Sequence, residues 1–375
     1  MGETADRAGG RPPATPGVRR WSGLRQLVFI AFIWLAIVVC LEAALRFAGF
    51  SPPRAAELAP RYSKFQPDDE LIWALKPDWS GFELSGVPLR HNSLGLRGPE
   101  PAPRDEAGFR ILFVGDSVTS GHDLREDFTV PLRLEFELEA RSDTPFEVIN
   151  AGVPGFSTFQ EAILLRRIAR ALEPDMVLLG FCLNDVTERY TSLAGFGGSR
   201  YFMMYVDTAA EMSLPRRLWL ESAMREAAVR LVRSSARRGE TYRVRSLWEQ
   251  PEEEHIRAAW ETVFAEIAQV ADEARRIDAP LAVILYPHAR QVETASGADA
   301  PQEKLASHLE ARGIPFLDLL GPMRASGFRM EQLYLDPTHF SPPGAALVAK
   351  AIAGFLLDAG LASPERKTGA RGRAE

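Results

Sequence analysis

Ser117 stands in the run Gly115-Asp116-Ser117-Val118-Thr119-Ser120-Gly121, where an apolar stretch gives way to a glycine-bounded turn. A serine hydroxyl is a weak nucleophile until a neighbouring base takes its proton, and that base is usually a histidine held in one tautomer by a carboxylate. The turn Asp336-Pro337-Thr338-His339 supplies such a pair, its short spacing letting the carboxylate reach the imidazole Nδ1 while Nε2 faces outward. Acyl transfer also needs hydrogen-bond donors aimed at a tetrahedral oxyanion, each worth roughly 3–4 kcal/mol. Two segments offer them. Asn150-Ala151-Gly152-Val153-Pro154-Gly155 has glycines that let a backbone N–H approach a ligand, and Asn184-Asp185 carries a carboxamide donor. Read singly, each segment is ordinary loop chemistry; together and in this order they point to nucleophilic attack on a carbonyl.

The elements that must position these residues follow from periodicity. Residues 111–114, 146–149, 176–181, 281–286 and 315–319 each read as a short buried strand, with helix-period segments between most of them. Buried strands alternating with helices specify an α/β layered sheet, whose reactive residues gather in loops beyond the strands' carboxyl ends. His122 and His288 fall near the same strand ends. The interval 185–258 breaks the alternation. Its residues 218–232 place Leu220, Met224, Ala227, Ala228 and Leu231 on one helical face, and 215–245 carries nine Arg against three Glu. It reads as a solvated helical cap or as a lid meeting an anionic partner, either lipid headgroups or an acidic polymer.

The chain has 375 residues, 46% apolar and 25% charged, with a net charge of −6. That length buries a sizeable core without metal or disulfide staples, and the mild acidity argues against a nucleic-acid partner. Residues 1–25, rich in Gly, Pro, Ala and Arg, read as disordered. Residues 27–41 are apolar without interruption, and extended to 45 the stretch spans about 28 Å, near the thickness of a bilayer's hydrocarbon. Apolar all round between Arg-rich and Pro-rich flanks, it reads as a transmembrane helix over 26–46, a retained anchor in preference to a cleaved signal peptide or a core helix. Arg19, Arg20 and Arg25 crowd its N-terminal flank, favouring a single-pass protein with its catalytic domain on the extracytoplasmic side. Cys40 lies in the span, which leaves Cys182 without an intramolecular disulfide partner. Residues 51–109 read as Pro-rich linkers around a small β-rich neck, 110–358 as a catalytic domain with a basic helical insertion at about 186–250, and 359–375 as a disordered tail. No histidine pair has a metal-ligand spacing and no dinucleotide fingerprint follows the first strand, so neither metal nor cofactor is expected.

On the blocks Gly115-Asp116-Ser117, 150–155, Asn184-Asp185 and 336–339, the sequence resembles the SGNH hydrolases, also called the GDSL family, over about 110–358 outside the insertion. The resemblance implies a three-layer αβα sandwich around a mainly parallel, flavodoxin-like sheet. It implies Ser117 as nucleophile, His339 as base and Asp336 as its orienting partner. It also implies an oxyanion hole from the Ser117 and Gly155 N–H groups and the Asn184 side chain. The neck segment His91-Asn92-Ser93-Leu94-Gly95-Leu96-Arg97-Gly98, with the anchor, resembles more loosely a membrane-tethered bacterial subset. The third block departs from the family's Gly-x-Asn-Asp: Cys182 occupies the glycine position, where a thiol would narrow the pocket or shift Asn184. Cys182 itself reads as a packing residue. The expected activity is hydrolysis of O-acetyl or other short acyl esters on an acylated small molecule or an envelope or extracellular polysaccharide. Lipid-ester hydrolysis, acyl transfer to a glycan and non-catalytic carbohydrate binding are the alternatives.

Overall fold

The computed structural model describes residues 23–50, 64–83, 85–187, 222–224, 227, 244–294 and 297–363. The chain divides into two units, residues 1–52 with 218–230, and residues 53–217 with 231–375. In the first, α1 (Gly23–Phe47) is long and apolar enough over Arg25–Phe47 to cross a membrane, with Leu27, Phe32 and Trp34 among its exposed apolar side chains. Membrane anchors and signal sequences share this length and composition. Near its C-terminal end Glu42 accepts hydrogen bonds from the backbone N–H groups of Ala223 and Met224, at 2.8 and 3.1 Å. Of the segments expected to be disordered, residues 23–25 instead open α1 and 359–363 end the fold with Leu361 and Ala362 buried in the core; residues 1–22 and 364–375, the linker 51–60 and most of the insertion lie outside the described residues.

The second unit opens with two antiparallel hairpins, β1 (Phe65–Asp68) with β2 (Ile72–Leu75), and β3 (Ser80–Phe82) with β4 (Pro88–Arg90). A parallel sheet follows. Its elements in chain order are β5 (Phe109–Gly115), α2 (Ser117–Ser120), α3 (Val130–Glu139), β6 (Phe146–Gly152), α4 (Thr158–Leu172), β7 (Met176–Cys182), α5 (Glu254–Arg276), β8 (Leu281–Tyr286), α6 (Ala300–Glu310), β9 (Phe316–Asp318) and α7 (Pro342–Asp358). The strand order β6-β5-β7-β8-β9 is that of a doubly wound, flavodoxin-like sheet. Each strand lies within three residues of its expected place.

Successive strand side chains point to opposite faces, so fully buried strands feed two cores. Leu112, Val114, Val177, Leu179 and Val283 pack with Leu165 of α4 and Trp260, Val263 and Ile267 of α5. Ile111, Phe113, Leu178 and Ile284 pack on the other side with Leu134 of α3 and Val348, Ile352 and Leu356 of α7. Three layers result. Phe65, Leu71, Trp73, Leu75 and Leu96 of the hairpin region belong to the first of these cores, so residue 110 marks a change of sequence pattern and not a boundary between packed bodies.

Where the sheet carries α2, side chains are absent by necessity. Gly115 pairs with Gly152 on one side and Gly180 on the other, making a row of three glycines across β6, β5 and β7. A Cβ on Gly152 would stand 2.2 Å from the Ser120 nitrogen, and one on Gly115 or Gly180 would stand 2.1 or 2.3 Å from Thr119 Oγ1. A second constraint lies between α4 and α5. Glu161 is fully buried, and neither carboxylate oxygen has a hydrogen-bond partner among the described residues. Burial, then the charges of Asp185, Asp116 and Glu266, pushes its pKa well above the usual carboxylate range.

Gly152→Ala is expected to lower stability by about 1–3 kcal/mol in denaturant titration, because the obstacle is backbone and no rotamer change relieves it. An unchanged midpoint would show that α2 does not rest on the sheet as described. Glu161 binds its proton more tightly when folded, so its contribution is intact at acid pH and is lost as pH climbs above about 4.5. Glu161→Gln should therefore raise the melting temperature at pH 8 and leave it unchanged near pH 4; a gain independent of pH would refute this.

Candidate active site

Ser117 begins α2, a single helical turn set on the end of β5. Asp116 caps that turn, its Oδ1 accepting the Val118 N–H at 2.8 Å, as short acidic residues do at helix starts. Gly121 ends it in the left-handed region, at φ +80°. The N–H groups of Gly121 and His122 donate to the Ser117 carbonyl at 3.1 and 3.0 Å. The backbone around Ser117 is thus held from both sides, and its side chain is half-buried.

His339 and Ser117, 222 residues apart, meet there: His339 Nε2 lies 2.8 Å from Ser117 Oγ, and Nδ1 lies 2.7 Å from Asp336 Oδ2. A carboxylate only accepts, so Nδ1 donates and Nε2 is left to accept the serine proton. Asp336 Oδ1 accepts the N–H groups of Thr338 and His339, both at 2.8 Å, so the Pro337 turn fixes the carboxylate against its own backbone. Ser341 then caps α7, accepting the Gly344 N–H at 3.2 Å, with Pro342 and Pro343 in its first turn. Burial alone would lower the His339 pKa, but the hydrogen bond and charge of Asp336, with the charges of Asp116 and Asp123, outweigh it and raise it. Burial would raise Asp336, and the imidazole with the two backbone donors instead holds it well below the carboxylate range. The sequence-expected trio is brought together, in a geometry that would let a proton pass from hydroxyl to imidazole.

The first donor segment spans the last three residues of β6 and the loop that follows, and the second lies just beyond β7; both strands flank β5. The Val153 N–H donates to the Gly115 carbonyl at 2.9 Å, tying the first loop to the strand end before Ser117. Residues 153–156 then make a turn closed by the Phe156 N–H on the Val153 carbonyl at 3.1 Å. Pro154 and Gly155, the latter at φ +82°, are residues a type II turn favours at its two central positions. Asn150 serves the loop itself, accepting the Gly152 N–H at 3.0 Å. Asn184 places Nδ2 3.4 Å from Asp116 Oδ2; a carboxamide has two N–H donors, so one contact leaves the other for a ligand. Asp116 is the residue that sequence reasoning left without a role. Its acidic type before a helical turn was the available signal, and burial pushes its pKa up.

Cys182 is buried in the core and is not disulfide-bonded. His122 does reach the site, its ring centroid 4.8 Å from that of His339. His288 is buried, its Nδ1 accepting the Arg290 N–H at 3.2 Å, and burial pulls its pKa down to about 4. Glu83, His122 and Asp123 bring donor atoms within 4.8 Å of one another, but the Lys64 ammonium already sits 2.5 Å from Glu83 Oε1. Beyond Asn184, Asp185, Val186 and Thr187 line a cavity of about 470 Å³ whose other wall includes Ile256, Ala259 and Val263 of α5.

The fold is similar to that of several solved structures. Over 67% of this chain and 94% of theirs, a catalytic mutant of the acetylxylan esterase Axe2 from Geobacillus stearothermophilus is 14% identical, with a TM-score of 0.41. An α/β hydrolase from the metagenome of Lake Arreo is 16% identical over 68% of this chain and 97% of its own, at a TM-score of 0.41. A two-domain esterase active on acetylated mannans is 15% identical over 67% of this chain and 49% of its own, at 0.38. No curated protein matches the chain. The model of the GDSL-like lipase/acylhydrolase family matches residues 113–347, more than half of the chain and a span that runs from the end of β5 through β9 into α7. The chain therefore belongs to the GDSL-like lipase/acylhydrolase family, and with its SGNH-type sheet it is a serine hydrolase of ester bonds.

Proposed function

We propose that Ser117 is the nucleophile of this hydrolase, His339 its general base and acid, and Asp336 the group that orients His339. The observation that carries this is the unbroken chain of contacts Ser117 Oγ–His339 Nε2 at 2.8 Å and His339 Nδ1–Asp336 Oδ2 at 2.7 Å. Ser117 Oγ bonds to the ester carbonyl carbon as its proton passes to His339 Nε2. The carbonyl oxygen becomes an oxyanion, met by the N–H groups of Ser117 and Gly155 and by Asn184 Nδ2–H. Collapse breaks the bond to the alcohol, which leaves with the proton from His339. Water then attacks the acyl-serine, giving its proton to His339, and the acid departs as Ser117 regains that proton.

The substrate we infer is a short acyl ester, acetyl above all, carried on an envelope or extracellular glycan. Asp336 is about half exposed and the His339 side chain 18% exposed, so the triad lies at the surface where a bulky acyl carrier can reach it. On this reading α1 is a retained single-pass anchor and the hydrolase unit is extracytoplasmic. A longer acyl chain is the second reading, favoured by the partly apolar cavity that begins one residue beyond Asn184. An anionic partner for the insertion belongs with the glycan reading.

Ser117→Ala in the full chain, held in detergent, should abolish hydrolysis of p-nitrophenyl acetate and covalent labelling by a fluorophosphonate; labelling that persists would remove Ser117 from its role. Because neutral His339 is the reactive form and its pKa is raised, kcat/KM should fall on the acid side with a midpoint above the ordinary histidine value of about 6.5. Asp336→Asn should move that midpoint down and reduce kcat by roughly 10²–10⁴-fold. An unmoved midpoint would exclude His339 as the titrating base. A series of p-nitrophenyl esters from acetyl to octanoyl separates the two substrate readings, with kcat/KM falling along the series on the first and rising on the second.

A further inference from the structure

The peptide joining Pro154 to Gly155 carries both groups that matter in that turn: its C=O belongs to Pro154 and its N–H to Gly155. In a planar trans peptide the two point in opposite directions, so a partner that fixes the carbonyl also fixes where the N–H aims. That partner is in the neck. The indole N–H of Trp73, on β2, donates to the Pro154 carbonyl at 3.3 Å. Trp73 is fully buried, and its ring meets Phe156, the last residue of the same turn, edge-on with centroids 5.8 Å apart. The Leu71 carbonyl of the same hairpin accepts from Gln160 Nε2 at 2.7 Å, just inside α4. The central peptide of a four-residue turn is the one that differs between types I and II, and flipping it would turn the Gly155 N–H away from its present direction. A hydrogen bond to the carbonyl also polarises the N–H at the other end.

The neck holds the other half of the site as well. A one-turn helix leaves its last carbonyls without partners of its own. Those of Ser120 and Gly121 both accept from a single nitrogen of Arg97, Nη1, at 2.9 and 2.6 Å, beside the Asn150 Nδ2 and Leu124 N–H donors that they also accept at 3.3 and 3.0 Å, and Nη2 takes the carbonyl of Leu124. Arg97 is 4% exposed. A cation this deep is tolerated where hydrogen bonds replace its water, and here much of the replacement is the backbone that follows Ser117. The approach of Arg97 is set by its own segment, in which Asn92 Oδ1 accepts the N–H groups of Leu94 and Leu96, both at 3.0 Å.

We propose that the neck, residues 64–83 and 85–98, is a working part of the reaction site: Trp73 sets the direction of the Gly155 N–H toward the oxyanion, and Arg97 sets the turn that carries Ser117. Both are positioning residues, and the inference rests on the roles assigned to Ser117 and Gly155 above. Trp73→Phe keeps the packing and removes the indole N–H, while Arg97→Lys keeps the charge and removes the planar fork. In the detergent-held full chain each is expected to lower kcat for p-nitrophenyl acetate about tenfold with KM within twofold, since an oxyanion donor acts on the transition state. Each is also expected to weaken inhibition by an alkylboronic acid, a tetrahedral mimic, by a similar factor, with the melting temperature within a few degrees of the parent. Folded variants with parental kcat and parental boronate affinity overturn the inference, as does an equal loss in kcat and in fold stability. Failure of both variants to fold makes the neck a requirement of stability alone and overturns it too. Activity that survives in Ser117→Ala would instead bring down the underlying reading, so the two failures are told apart.

Discussion

The reactive edge of this molecule depends on one close approach of backbone to backbone. The turn that carries Ser117 lies against the ends of three neighbouring strands, and it fits because Gly115, Gly152 and Gly180 stand in register with no side chains between turn and sheet. Thr119 fills the space so made, its hydroxyl 3.2 Å from the Tyr286 hydroxyl on β8. Once α2 is seated, Val153 can bond back to Gly115, and Asn184 can reach Asp116. The donors on either side of β5 thus inherit their places from a contact that none of them makes. Chemistry at a strand end is common in doubly wound sheets because loops from adjacent parallel strands emerge there together.

The edge is assembled from three sources with different mechanical character. Strands β5, β6 and β7 are buried on both faces and place the loop origins rigidly. The loop before α7 is short and held by its own backbone bonds, with Asp336 gripping the turn it belongs to. The hairpins ahead of β5 contribute no sheet strand, yet Trp73 and Leu71 sit fully within the core that α4 and α5 share. A segment that reads as a spacer by composition is therefore structural, and its contacts reach the backbone on both sides of Ser117.

Much of this was legible in the sequence. Five apolar runs with helical periods between them specify a parallel sheet, local chemistry marks the turn at Asp336 and the glycines of 150–155, and the family resemblance singles out Gly155 among them. Residue types that must be paired over long distances were not legible. Nothing in the spelling of Asp116 says that its second oxygen faces Asn184 at 3.4 Å. Nothing local says that Trp73 meets Pro154, 81 positions away. The Gly and Pro content of the neck reports where the chain bends and says nothing of what it buries. Strand alternation sends Cys182, at the third-block glycine position, into the core on the α7 face.

The pairing of Ser117 with His339 also has a temporal side. The two lie 222 residues apart, and the second belongs to the last loop before the final helix. Chains are synthesised and fold from the N-terminus, so the hydroxyl, the glycine row and the neck that supports them all exist well before the imidazole is made. On the proposed mechanism, a chain ending before residue 336 would lack the base that activates Ser117, and also the α7 side chains that complete the core behind it. Hydrolytic competence, on that mechanism, waits on the docking of α7, which brings the turn at residues 336–339 to Ser117.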